Sequence, residues 1–146
     1  MYAGVVLPPF PDMEVAVVSL LEATFPRLMG PTPLSGQFVN TTLPFPFKAE
    51  RAPFVRISDL GGSEENIITM VSPLEVDVYD TTRDGAYDLS EGIRAKLVGS
   101  PHRIGEARID RIILVSKPTL AEWPDNDIKR FIATHRVSLR RLTEKR

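Results

Sequence analysis

The sequence predicts an α+β fold, in which a mixed or antiparallel β-sheet carries two helices packed on one face, together with a long proline-rich arm. Two segments, one starting after Asp12 and one near Thr81, repeat apolar residues with the period of an amphipathic helix. Two others, in the middle and at the end of the chain, alternate apolar and polar residues as strands do. Because strands that follow each other in sequence usually lie side by side, we expect one domain over residues 1–146.

The first predicted helix begins after Asp12, a favourable N-cap residue, and stops at Pro26. Its apolar positions recur at helical spacing, at Met13, Ala16, Val17, Leu20 and Leu21.

Residues 26–53 form the predicted arm. They carry six prolines, a composition that excludes helix and interrupts any central strand. A loop of this length in a small domain is usually functional or disordered. The arm therefore packs on its own domain or reaches a partner, and the expected partner contacts are Phe38, Phe45, Phe47 and Lys48.

Two strands should follow the arm. The segment Phe54 to Asp59 predicts a short strand that ends in a turn at Gly61 and Gly62. From Ile68 to Val78 the alternation predicts one long strand with a bulge at Pro73. Its polar face holds Thr69, Glu75, Asp77 and Tyr79.

The second helix should start at Thr81, which forms a capping-box pattern with Asp84, and end near Gly99. One face of it is apolar, at Ala86, Leu89, Ile93 and Leu97.

A strand is predicted from Ala107 to Ser116, followed by turn-rich residues 117–126. The last strand alternates from Arg130 to Arg140, with an apolar face of Phe131, Ala133, His135, Val137 and Leu139.

Composition limits the class of protein. With 42% hydrophobic and 25% charged residues the chain is typical of globular domains. The absence of cysteine excludes disulfides, thiolate metal sites and a cysteine nucleophile, and suits a reducing compartment. No apolar run approaches the roughly 20 residues of a membrane span, and the first residues lack the basic start of a signal peptide. We expect synthesis in the cytoplasm and no membrane contact.

The net charge of −1 hides a segregation of charge. Residues 59–91 hold nine acidic side chains and one basic, whereas residues 127–146 hold seven basic and two acidic. The two segments either pair within one molecule as neighbouring strands or pair between copies of the chain.

Catalytic or metal chemistry is not expected. Asp80, Asp84, Asp88 and Glu91 spread along a strand and around a helix, whereas a divalent cation needs converging carboxylates. His102, in a predicted loop, and His135, on a strand face, lack the spacing of zinc ligands. No nucleophile-elbow, phosphate-loop or dinucleotide motif occurs. A catalytic triad whose serine, histidine and aspartate come together only in the folded chain is left as an alternative. We nevertheless expect no enzyme, no cofactor and no metal. The near-neutral charge also argues against tight DNA binding.

Several stretches together resemble the tail terminator proteins of long-tailed bacteriophages, of the siphovirus type, particularly those that infect actinobacteria. They are the first helix "PDMEVAVVSLLEA", the proline-bearing loop, "PFVRISDLGG", the long "LEVDVYDTTRDGAYDLSEGIRAKL" and the arginine-bearing last strand. The resemblance covers most of the chain and is densest at 53–62 and 75–97.

The resemblance implies a small α/β sandwich that forms a ring, commonly a hexamer, in the neck of the virion at the top of the tail. The ring sits on the last ring of tail-tube protein, ends polymerisation and joins the tail to the head–tail connector, or stopper, protein. DNA passes through the lumen without tight binding. The family implies no catalytic residue.

A closed ring joins one surface patch to a different patch on the next subunit, which suits segregated charge. We therefore expect the acidic residues of one flank to meet arginines of the other across the subunit boundary. The expected interface set is Asp77, Asp80, Asp84, Asp88, Arg136, Arg140 and Arg141. Two alternatives are another neck component, a head-closure or connector protein, and, more remotely, a small ligand-binding or enzymatic α+β domain.

Overall fold

The computed structural model of the chain describes residues 9–28, 38–64, 68–99, 101–105 and 107–141, and in these residues two helices pack on one face of a seven-stranded mixed sheet. The elements in chain order are α1 Met13–Thr24, β1 Val39–Asn40, β2 Phe54–Asp59, β3 Ser63–Glu64, β4 Thr69–Asp80, α2 Arg83–Leu97, β5 His102–Ile104, β6 Ala107–Ala121 and β7 Lys129–Arg140. The strand order is β1-β2-β4-β7-β6-β5, with β3 beside the start of β4. The predicted α+β class is confirmed.

Helix α1 starts and stops where the sequence predicts. The Asp12 side chain accepts a hydrogen bond from the backbone N–H of Val15, at 3.2 Å, and caps the helix. The helix ends at Thr24, just before Pro26. Val17 and Leu21 are fully buried against the sheet.

Strands β4 and β7 form the centre of the sheet, paired antiparallel along 12 residues each. The register runs through Pro73 opposite Arg136 without a shift, so the predicted bulge at Pro73 is wrong. The carbonyl of Pro73 accepts from the N–H of Leu60, on the side away from β7. The N–H and C=O positions of a strand residue point to the same side, so at Pro73 both are directed away from β7. The hydrogen bonds between β4 and β7 therefore need no N–H donor from Pro73.

The N-cap of α2 is Thr82 and not the predicted Thr81. The Thr82 hydroxyl accepts from the N–H of Gly85 at 3.0 Å, and Asp84 lies in the first turn as predicted. Before the cap, Asp80 is only 5% exposed, and its carboxylate accepts from the N–H of Thr81 at 2.8 Å. A negative charge at a helix N-terminus is favourable, which accounts for the position of Asp80.

The segment from His102 to Ala121 holds more strand than the sequence predicts. His102 lies in β5, which pairs with the start of β6, and not in a loop. β6 continues to Ala121 instead of ending at Ser116, because β7 pairs with it as far as Ala121. Register shifts within β6 accommodate Pro118 in the strand.

The main core lies between the helices and the sheet. The predicted apolar face of α2 is buried, as is the predicted apolar face of β7, including the fully buried His135. A second, smaller layer covers one end of the opposite, helix-free face, where Phe54, Tyr79 and Ile128 are buried beneath the loops that precede β2 and β7. The rest of the helix-free face carries no further layer within the described residues. The middle of the predicted arm, residues 29–37, lies outside them.

Candidate interaction surfaces

A buried carboxylate, Asp77, is held between two arginines on the helix-free face. Its Oδ2 accepts hydrogen bonds from Nη2 and Nε of Arg56, at 2.8 and 3.1 Å. Its Oδ1 lies 3.3 Å from Nη2 of Arg130, an ion-pair contact without hydrogen-bond geometry. Burial, together with the nearby Asp77 carboxylate, raises the pKa of Glu75 on the same face. For Asp77 and Arg130, the segregated charges therefore pair within one molecule, between neighbouring strands.

An aromatic cluster covers the end of the sheet beside this charge pair. Phe47 packs edge-on against Tyr79, Phe54 and Trp123, with ring centroids 5.2, 5.8 and 6.2 Å apart. The guanidinium of Arg130 lies 5.7 Å from the ring centroids of both Tyr79 and Trp123. The cluster shields the Asp77 ion pairs from water and so strengthens them.

The described part of the arm packs largely on its own domain. Phe47 belongs to the aromatic cluster, and Phe38 packs against the main core. Phe45, by contrast, is 95% exposed, and Lys48 is exposed beside it. Of the four residues predicted to contact a partner, Phe45 and Lys48 present their side chains to solvent.

The acidic members of the predicted interface divide into two groups. Asp77 is 0% exposed and Asp80 is 5% exposed, so both have structural roles inside the chain. Asp84, with 92% of its side chain exposed, and Asp88 stand on the outer surface of α2. These two carboxylates of the set are exposed, and Oδ1 of Asp84 lies 3.7 Å from Nη1 of Arg83, which is also exposed.

The basic members of the set are all at least partly exposed and differ in their contacts. Arg140 donates to Oδ2 of Asp110 from Nε at 2.6 Å, and the Arg141 guanidinium lies 4.3 Å from the ring centroid of Phe10. Arg136 is exposed on the helix-free face and has no ion-pair partner among the described residues.

Arg136 shares a groove with Arg111, a residue that the sequence did not single out. Arg111 stands opposite Ser138, and Arg136 opposite Ile113, on neighbouring strands. With Val71 of β4 they line a shallow groove of about 360 Å³. Arg111, like Arg136, is exposed and unpaired within the described part of the chain. We call this set, Val71, Arg111, Ile113, Arg136 and Ser138, the basic groove.

The position of Arg111 follows from an irregularity that sequence periodicity does not reveal. Strict alternation puts Arg111 on the same face as Ile109, which is buried under the helices. The register shifts by one residue between them, because Ile109 pairs with Leu139 whereas Arg111 pairs with Ser138. Such a shift moves the following side chains to the other face. Arg111 therefore points away from the core.

The two histidines are buried side chains of the fold. His102 Nε2 lies 2.9 Å from the carbonyl oxygen of Leu97 at the end of α2. His135 is fully buried, and burial, with a smaller contribution from Arg94, lowers its pKa to about 4. Neither ring nitrogen of His135 has a hydrogen-bond partner among the described residues. The neutral imidazole therefore behaves as a core side chain.

Other site types find little support in the described residues. No three His, Asp or Glu side chains there could hold a metal ion. A groove of about 620 Å³ is open to solvent and is lined by residues 120–124, 126, 128 and 129. Neither described helix is long and apolar enough to cross a bilayer.

Comparison with known proteins yields a similarity of fold. No protein family and no curated protein matches the sequence. Among solved structures, the chain is similar to a chain in the virion of a native gene transfer agent particle, with a TM-score of 0.62 and 15% sequence identity. The similarity covers 88% of this chain and 94% of the other. At this identity, the finding establishes that the two chains share a fold.

Proposed function

We propose that this chain is a structural protein of a phage-type virion and that it acts there as a tail terminator. Copies of it form a ring, hexameric in the family it resembles, that caps the tail tube and ends its polymerisation. The ring then joins the tail to the head connector, and DNA passes through its lumen. The observation that carries the proposal is the fold shared with a virion chain over 88% of this sequence.

The distribution of exposed charge supports a ring. Of the predicted interface set, the exposed carboxylates Asp84 and Asp88 lie on the helix side of the sheet, and the exposed Arg136 lies with Arg111 on the opposite face. Unlike patches on opposite faces favour head-to-tail contacts, which close into a ring when the rotation between copies allows it.

The arm supplies a contact for the tail tube or the connector. Phe45 is almost fully exposed, and its neighbour Phe47 anchors the segment in the aromatic cluster. An exposed aromatic side chain on an anchored backbone loses little entropy on binding and is a common hot spot.

The overall charge suits a conduit for DNA. At a net charge of −1 the chain offers no strong electrostatic attraction to a polyanion. A neck ring needs this property, because tight phosphate contacts would retard the passage of DNA.

Electron microscopy and a capping assay test the proposal together. The purified protein is imaged for annular particles and then added to tail-tube protein of the same virus during polymerisation. We expect rings, bound at one end of each tube, and shorter tubes as the concentration of the protein rises. The Phe45→Ala variant should still form rings but cap tubes less well.

The same assay separates the terminator from other neck components. A head-closure or connector protein would form rings that leave tube length unchanged. Compact single copies, with uncapped tubes at every concentration, would refute both the ring and the terminator role.

A further inference from the structure

We propose that a ridge on α2 of one copy, formed by Asp84, Tyr87 and Asp88, docks into the basic groove of the next copy. This inference rests on the proposed function, since it assigns the contact that closes the ring. It commits to a second copy of this chain as the occupant of the groove. Charge complementarity and the positions of the two surfaces on the sheet are the grounds for it.

The side chains of the ridge share one face of α2, and a contact within the chain fixes the central one. The three residues of the ridge stand at i, i+3 and i+4, so they share one face of α2. Tyr87 is 40% exposed, and its ring packs edge-on against Phe131 with centroids 5.6 Å apart. The contact with Phe131 holds the ring in place, while two carboxylates flank it.

The groove has the complementary chemistry. Val71 of β4 and Ile113 of β6 lie on either side of Arg136 and Ser138 of β7, and each adds an apolar side chain against which an aromatic ring can pack. Ser138 adds a hydroxyl group that accepts or donates a hydrogen bond. Each guanidinium fits a carboxylate, and either one also stacks on an aromatic ring.

The spacing of charges on the two surfaces is compatible. Asp84 and Asp88 stand one helical turn apart, with Cβ atoms about 5–6 Å from each other. Arg111 and Arg136 are diagonal neighbours on adjacent antiparallel strands, about 7–8 Å apart. Two long arginine side chains bridge that difference easily, so both ion pairs form in one docked geometry.

The placement of the two surfaces gives the contact its direction. The ridge lies on the helix side of the sheet and the groove on the opposite face. A contact between them uses different surfaces of the two copies and leaves a free ridge at one end and a free groove at the other. Such a contact repeats from copy to copy, and it closes into a ring when the rotation between copies allows it. Exposed ion pairs contribute about 0–1 kcal/mol each, so they set the register while Tyr87 supplies apolar burial.

Charge reversal in both partners tests the docking. One variant carries Arg111→Glu and Arg136→Glu, and the other carries Asp84→Lys and Asp88→Lys. Native mass spectrometry of the full chain at low ionic strength measures the concentration of half-assembly. Each variant alone should raise it by about tenfold or more, because two attractions become repulsions. A 1:1 mixture should restore assembly with alternating copies, since every ridge then meets a groove of opposite charge.

A control with the same change of charge as the double arginine variant is Arg51→Glu with Lys117→Glu, two exposed residues outside both surfaces. It should assemble like the wild type, and circular dichroism should show all variants folded. Rings that persist in both reversal variants, or a mixture that stays dissociated, overturn the docking while leaving the ring itself in place. A wild-type chain that forms no ring refutes the proposed function instead.

Discussion

Replacing Asp77 by asparagine removes one buried negative charge and keeps the shape of the side chain. Arg56 and Arg130 then lose their ion-pair partner, and Glu75 is left as the nearby carboxylate on this partly covered surface. Removing one partner of a buried ion pair costs about 3–5 kcal/mol. The two arginine side chains keep 29% and 19% of their surface exposed, so water screens part of the repulsion. We therefore expect a loss near the lower limit, about 3 kcal/mol in the free energy of unfolding.

Urea unfolding at pH 7 measures this loss, with fluorescence of Trp123 as the probe. Trp123 is the only tryptophan of the chain and packs on Tyr79, two residues from Asp77. The expected loss moves the unfolding midpoint down by about 1–2 M urea. The matched control is Asp84→Asn, on a carboxylate that is 92% exposed, which should change stability by less than about 0.5 kcal/mol.

A companion variant separates the cost of unpaired charge from the net contribution of the pair. Replacing the whole cluster by apolar residues, Asp77→Leu with Arg56→Met and Arg130→Met, should recover most of the lost stability. If Asp77→Asn stayed within about 1 kcal/mol of the wild type, the cluster would not be the buried ion-pair network that the geometry indicates.

Three further predictions concern single side chains. Burial lowers the pKa of His135 from 6.5 to about 4, so the stability that its neutral form contributes is complete above pH 6.5 and is lost as the pH falls to about 4. When the free energy of unfolding is measured along an acid titration, His135→Leu should lose about 3 kcal/mol less stability than the wild type. Equal losses of stability would contradict this. Phe47→Ala should lower the free energy of unfolding by about 2 kcal/mol, measured by thermal unfolding, because it opens the aromatic cluster. Phe45→Ala should leave the stability of the free protein unchanged and weaken only tube capping. Similar effects of the two variants on stability would refute the separate roles. Thr82→Ala should destabilise the fold by about 1 kcal/mol through loss of the α2 cap and Thr81→Ala by much less, and the reverse order would restore Thr81 as the cap.

Sequence reasoning located the elements whose signals are local. Helix α1 has its cap at Asp12 and its stop before Pro26, as predicted, and the alternation of β7 identified its buried face. For α2 the buried face was predicted correctly and the predicted cap was one residue too early, because Thr81 and Thr82 are both capable N-caps and only the tertiary position of β4 decides between them. Short strands such as β5 were missed, since three residues carry no usable period.

The candidate site was predicted only in part. The sequence correctly identified opposite charge in two segments, but it could not tell which charges remain exposed. Asp77 lies on β4 and Arg130 on the neighbouring strand β7, at the end of the face that the second layer covers. The two side chains therefore pair within the chain. Asp88 and Arg136 have no such cover and stay available to another molecule.

Hydrophobic periodicity was enough to predict the α+β class, the two helices and the central pair of strands, because it reports which face of each element is buried. Three features appear only in the folded chain: the helix-free face is covered at one end, Phe47 packs inward while Phe45 does not, and Arg111 joins Arg136 in one groove. These features depend on contacts between residues distant in sequence and on a register shift in β6, neither of which leaves a local pattern.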